Sequence, residues 1–212
     1  MWLLEKITER GERHGVALSM FIEAAPLKTE DLWVKLQAAL DLISEHMPVW
    51  IDRMRRAGNS IHVRRIPGTR AMLRDNRYTI LDPYLLADFV PAQIAASIVH
   101  EAMHAWLRAR ELNWERISRA REERACRAAE VRFGRRLLAA GVKGAELVLE
   151  RAEPMLNAPD DEVAVEVDWE AWKANGMVTR INDIPVPLWL KRLIARRRGV
   201  LHTPAGRAAF GE

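Results

Sequence analysis

The chain has 212 residues, 49% of them hydrophobic, with 33 Lys and Arg against 29 Asp and Glu for a net charge of +4. That is enough for one well-packed domain, and no low-complexity run, internal repeat or ~20-residue apolar span marks a disordered, solenoid or membrane-spanning chain. One cysteine, Cys126, excludes an intrachain disulfide framework; with no signal-peptide pattern at the N-terminus, the expected location is cytoplasmic.

In chain order, a short helix is expected over 2–10, a turn between Gly11 and Gly15, and a strand or packed loop over 16–22. Thr29 reads as an N-cap, with Glu30 and Asp31 suited to the positive end of the helix dipole. The helix that follows carries Leu32, Leu36, Ala39, Leu40, Ile43 and Met47 at helical spacing. It is expected to bend at Pro48 and stop at Gly58-Asn59.

Ile61-His62-Val63-Arg64 alternates at period two and predicts a strand, as does Arg77–Leu81; a short strand and a turn at Asp75-Asn76 fit between them. Pro91 suits the first turn of the next helix. Long helices are predicted over 115–140 and 144–156. The segment 160–175 fits strand or helix, and its acidic start and Asn175-Gly176 stop favour helix. A basic amphipathic helix over 188–198 and a frayed tail over 199–212 close the chain.

The predicted helix after Pro91 contains His100-Glu101-Ala102-Met103-His104, the pattern H-E-x-x-H. Histidines at i and i+4 lie roughly 40° apart around a helix and about 6 Å apart along it, so both imidazoles reach one tetrahedral zinc ion. Glu101 is aimed beside the metal, where it can take a proton from an activated water. The pattern also arises by chance. Here, however, Ile94, Ala95, Ile98, Val99, Ala102 and Trp106 make the helix apolar on most sides, and buried histidines and glutamate need something to hold them.

A zinc on two histidines needs a third protein ligand, and Glu122, Glu123 and Glu130 on the following helix are candidates. Glu123 gives H-E-x-x-H-x18-E. In this the chain resembles the gluzincin group of zinc metallopeptidases, specifically the spacing of its aminopeptidases. It is also similar to uncharacterised bacterial HExxH proteins with a pattern like Glu123-x-x-Cys126-x-x-x-Glu130-x-x-Phe133. Glu123 and Glu130 share a helix face some 10 Å apart, so only one binds the ion directly. Glu123 is the choice; Glu130 and Cys126 are the alternative ligands or the groups behind the ligands. Where gluzincins usually place Asn before the third ligand and an acid four after it, this chain has Glu122 and Arg127. The later Tyr or His that stabilises the oxyanion in that group has no clear counterpart, and Arg127 is a substitute candidate.

The resemblance implies an α+β, mainly helical, zincin-like fold. A single domain over 1–212 would pack a small sheet, from 61–66 and 77–82, on the HExxH helix, with helices over 30–57, 115–140 and 144–175 around it. Segments 1–28 and 188–212 would be appendages. It implies zinc on His100, His104 and Glu123, Glu101 as general base, and a peptide or protein substrate. An edge strand carrying Tyr78, Thr79 and Ile80 would hold that substrate. Two other readings stand beside this one. The protein is a zinc-stabilised structural or interaction protein, or a basic module that binds an anionic membrane surface or nucleic acid through Arg53–Arg77 and the C-terminal segment Lys191–Arg198.

Overall fold

The computed structural model describes residues 8–21, 28–64, 66, 71–110, 118–163, 177–178, 181–182 and 186–210. Five strands, β1 (Thr8–Arg13), β2 (Val16–Phe21), β3 (Ser60–Val63), β4 (Ala71–Arg74) and β5 (Tyr78–Leu81), form one sheet in the order β1-β2-β3-β5-β4. β1–β2 and β4–β5 pair antiparallel, while β2–β3 and β3–β5 are parallel, so the sheet is mixed. Period-two alternation turns Val16, Leu18, Met20, Ile61, Val63 and Leu81 to one face, where none is more than 4% exposed.

That face is covered by α1 (Thr29–His46), α2 (Val49–Arg56) and α4 (Pro91–Ala109); α3 (Pro83–Asp88) precedes α4. Leu36, Leu40, Ile43, Trp50, Met54, Ile94, Ile98 and Val99 join the strand residues in a single core. α4 is the central element. It starts with Pro91 in its first turn, and the Gln93 side chain accepts a hydrogen bond from the Val90 N–H at 3.3 Å. It packs against α1, α2, β4, β5, α5 (Arg119–Ala139) and α6 (Ala145–Ala152). α5 is capped by Ser118, whose Oγ accepts from the Arg121 N–H at 3.3 Å. Further on lie α7 (Asp160–Val163), α8 (Leu188–Arg197) and α9 (Pro204–Phe210). The architecture is α+β, mainly helical, with the small sheet packed on the motif helix. Among the described residues no helix is long and apolar enough to cross a membrane.

Several expectations need correction. Residues 8–10 are strand, not helix: the His14-Gly15 turn, with φ of 52° and 75°, is of the primed type that closes a two-residue hairpin, and it pairs β1 with β2. Residues 2–7 lie outside the described residues. The N-terminal segment is therefore no appendage, since β2 contributes Val16, Leu18 and Met20 to the core. Lys28, not Thr29, occupies the N-cap of α1, and the chain breaks at Pro48 into two helices instead of bending. Strand Tyr78–Leu81 is paired on both sides, so the edge belongs to β4. Thr79 and Ile80 are 0% and 4% exposed, and the backbone of β5 has no free ladder to offer an extended substrate. The tail is not frayed: Leu201 and Phe210 pack with Ile181 and Ala195 in a small cluster separate from the main core. Of 160–175, only the helical start Asp160–Val163 is described.

Candidate metal centre

His100, Glu101 and His104 lie on the stretch of α4 that crosses α5, and each is 7% exposed. The imidazoles meet edge to face with their centres 5.0 Å apart. Both point Nε2 at one carboxylate: His100 Nε2 is 3.3 Å from Glu123 Oε2, and His104 Nε2 is 3.5 Å from Glu123 Oε1. The opposite ring nitrogens meet two other carboxylates. His104 Nδ1 is 2.6 Å from Glu122 Oε1, and His100 Nδ1 is 3.4 Å from Glu130 Oε2. That last approach is too poorly aimed for a hydrogen bond, which leaves the buried His100 Nδ1 without one. Carboxylates behind both imidazoles, with Nε2 facing inward, are the arrangement that orients metal-binding histidines.

α5 supplies this set because Glu122, Glu123, Cys126 and Glu130 follow one another along the side that meets α4. Cys126 is buried, with its sulfur close to both imidazoles. Ligating atoms of His100, His104 and Cys126 lie within 4.8 Å of one another, making a buried group able to hold a metal ion. Glu123 adds an oxygen to each imidazole. At 17% side-chain exposure it is the group of this set that opens most to solvent.

Electrostatics follow from crowding four carboxylates around two imidazoles. Burial disfavours protonation of His104, but Cys126, Glu122 and Glu123 outweigh it and push its pKa up to about 12. The same contest, with Glu123 and Glu130, raises His100. Burial works against ionising Glu123 and Glu130 as well, yet the histidines beside Glu123 hold it well below the usual carboxylate range. His100 with Arg151 and Arg127 takes Glu130 down to about 2. Burial lifts the Cys126 thiol to about 11.

Two carboxylates carry their own guanidinium partners. Arg108 Nε lies 3.3 Å from Glu122 Oε1; Arg127 Nη1 donates to Glu130 Oε2 at 2.7 Å, and Arg151 Nη2 to Glu130 Oε1. Glu101 and Glu123 have none among the described residues. Two carboxylates without a guanidinium partner, beside two imidazoles and a thiol, are a donor set that fits a divalent cation. A divalent ion among these atoms would replace the positive charge that the raised imidazoles now set against Glu123.

Of the expected residues, His100 and His104 stand with Cys126 in the group able to hold a metal, Glu123 lies 3.3 and 3.5 Å from their Nε2 atoms, and Glu130 stands behind His100. Tyr78, Thr79 and Ile80 do not converge on it as an exposed edge. Arg127 is committed to Glu130, which removes it as an oxyanion donor. Arg108, Arg151 and the anchoring role of Glu122 were not anticipated. Arg108 follows His104 by four residues, and Arg127 precedes Glu130 by three, spacings that place neighbours on one helix face. Arg151 sits on another helix, and no local spacing announces it. Comparison with protein-family models, curated proteins and solved structures finds no match for this chain.

Proposed function

We propose that the protein is a zinc-dependent hydrolase of the zincin type, acting on peptide bonds, with zinc held by His100, His104 and Glu123. The observation that carries this reading is the convergence of both Nε2 atoms on Glu123 while each Nδ1 is backed by a separate carboxylate. Zinc bound there supplies Lewis-acid activation of a water and of a substrate carbonyl.

The chain's own residues do the rest. Glu122 accepts from His104 Nδ1 and holds that imidazole with Nε2 forward, while Glu130 stands 3.4 Å from His100 Nδ1. Arg127 and Arg151 keep Glu130 ionised, so that it sets a negative charge behind His100. Glu101 lies about 100° round α4 from His100, beside the ligand direction and not along it. It is buried on the same stretch of α4 as the two histidines, which supports this role. There it accepts the proton of the attacking water and returns it to the leaving amine.

Metal analysis tests the centre: protein prepared without added metal should carry, or take up, about one zinc per chain. Glu101→Gln should keep zinc and the melting temperature but lose turnover of a peptide library by roughly a hundredfold or more, because the amide cannot take the proton. Zinc binding without any hydrolysis, and with no competition by a small hydroxamate, would sink the enzyme and leave the metal site standing.

One observation favours a second reading, a closed structural site: Cys126 is within ligating range of both histidines. With Cys126 as fourth ligand no position remains for water. Cobalt substitution separates the two. A thiolate-to-cobalt charge-transfer band, absent in Cys126→Ser, would mark the closed site; its absence in the wild type supports the open one.

A further inference from the structure

The C-terminal helix α8 presents a face that nothing in the fold accounts for. Leu188, Trp189 and Leu193 are 52%, 66% and 44% exposed, although they are the residues a packed helix would bury first. At 100° per residue, Leu188, Arg192, Arg196, Trp189, Leu193 and Arg197 fall on one half of the helix. The other half carries Ala195, which is buried against the cluster of Ile181, Leu201 and Phe210. The apolar side chains on the outward half are therefore surplus to the packing that holds α8 in place.

Their neighbours are all of one sign. Residues 186–210 contain Lys191, Arg192, Arg196, Arg197, Arg198 and Arg207 and not one Asp or Glu. Lys191, Arg192 and Arg207 donate to the carbonyl oxygens of Asn182, Phe210 and His202, and no carboxylate pairs with them among the described residues. Arg196, Arg197 and Arg198 make no side-chain bond among the described residues. Nucleic acid would take the cations but has no use for exposed Leu188 and Leu193. A surface that takes both kinds of group at once has anionic oxygens above a hydrocarbon layer, and long arginine stems reach from the second to the first.

We propose that α8 is a membrane-contact helix that lies flat on an anionic lipid bilayer, with Trp189, Leu188 and Leu193 dipping below the headgroups and Arg196 and Arg197 on lipid phosphates and carboxylates. No helix here is long and apolar enough to span the bilayer, so the contact is peripheral and reversible among the described elements. It is independent of the metal centre.

Co-sedimentation of the full chain with vesicles tests it. Phosphatidylcholine vesicles containing roughly a third phosphatidylserine should retain the protein at low salt, and neutral phosphatidylcholine vesicles should not. The pair Trp189→Ser with Leu193→Ser should weaken retention about tenfold or more, through lost apolar burial alone. The pair Arg196→Gln with Arg197→Gln should do the same through lost charge, and should flatten the salt dependence. All four positions are exposed, so an unchanged melting temperature is expected and separates lost binding from lost fold. Equal binding to neutral and anionic vesicles overturns the proposal. So does full retention by the Trp189 and Leu193 pair, or tighter binding to duplex DNA than to vesicles.

Discussion

Each ring nitrogen of His100 and His104 faces a carboxylate, and the two sides of each ring have different jobs: Nε2 towards Glu123, Nδ1 towards Glu130 or Glu122. The motif itself made the inward side legible, because i and i+4 spacing needs only helix geometry. The outward side depends on the crossing of α4 over α5, which no local pattern encodes. Glu123→Gln should therefore abolish most zinc affinity. Glu130→Gln should lower affinity only about 10–100-fold, as removal of a group behind a ligand does. It should instead destabilise the metal-free protein by about 3 kcal/mol, because Arg127 and Arg151 lose a fully buried partner. Zinc titration and denaturant melts of both variants check the split; similar affinities would move the third ligand away from Glu123. The charge contest also sets a pH signature. Without metal, the raised histidines stabilise the fold fully below their ordinary pKa of 6.5, and that contribution fades as pH climbs towards about 12 for His104. The depressed Glu123 and Glu130 contribute above the ordinary 4.5 and lose their contribution as pH falls, for Glu130 through about 2. The protonated cluster is thus strongest between those ordinary values. Zinc bound as proposed would displace the histidine protons, so the rise in melting temperature on adding zinc should be larger near pH 8 than near pH 6. A pH-independent rise would count against ligation through these imidazoles.

Among the elements, α4, α5 and the strand at 60–63 were readable because their apolar spacing matches their burial: Ile94, Ile98 and Val99, or Ile61 and Val63, are all fully buried. The hairpin at 8–21 was not, because its turn is made by His14 at φ 52° beside Gly15 and lacks the Asn-Gly or Asp-Gly pair that announces a two-residue hairpin. The place of 78–81 inside the sheet was equally hidden, since a strand's neighbours are decided by topology and not by its own alternation. The α5–α6 contact yields a prediction of its own. A Cβ on Gly134 would sit 2.9 Å from both Leu149 Cδ2 and Val148 Cγ1. Leu149 can swing aside, but Val148 is stiff at χ1 and fully buried. Gly134→Ala gains about 1 kcal/mol of helix propensity and loses about 1–3 kcal/mol to overpacking, so the net change is destabilising. Because α6 also carries Arg151, the same substitution should weaken zinc binding. A calorimetric melt and a zinc titration on one sample check both.

At the scale of the whole molecule, the predicted elements and the resemblance foretold a mainly helical α+β chain, and that is the architecture found, around one main core. The small separate cluster near the C-terminus was invisible beforehand because Leu201 and Phe210 stand far apart in a stretch otherwise poor in pattern. The path of the chain between the two metal-facing helices has a mechanical consequence. His104 ends the donor set on α4 and Glu123 begins the one on α5, with 18 residues between them. An ion bound by both helices would be a removable cross-link that closes this segment into a loop, and it would stabilise the folded chain by the free energy of its binding. Loaded with metal, α4 and α5 should open to solvent only together. After chelation, the first turns of α5 should exchange their amide protons ahead of α4, which the core still holds on its other sides. Hydrogen exchange with and without chelator would read that uncoupling directly: the ion would be both the reagent of the site and the latch that makes two helices one body.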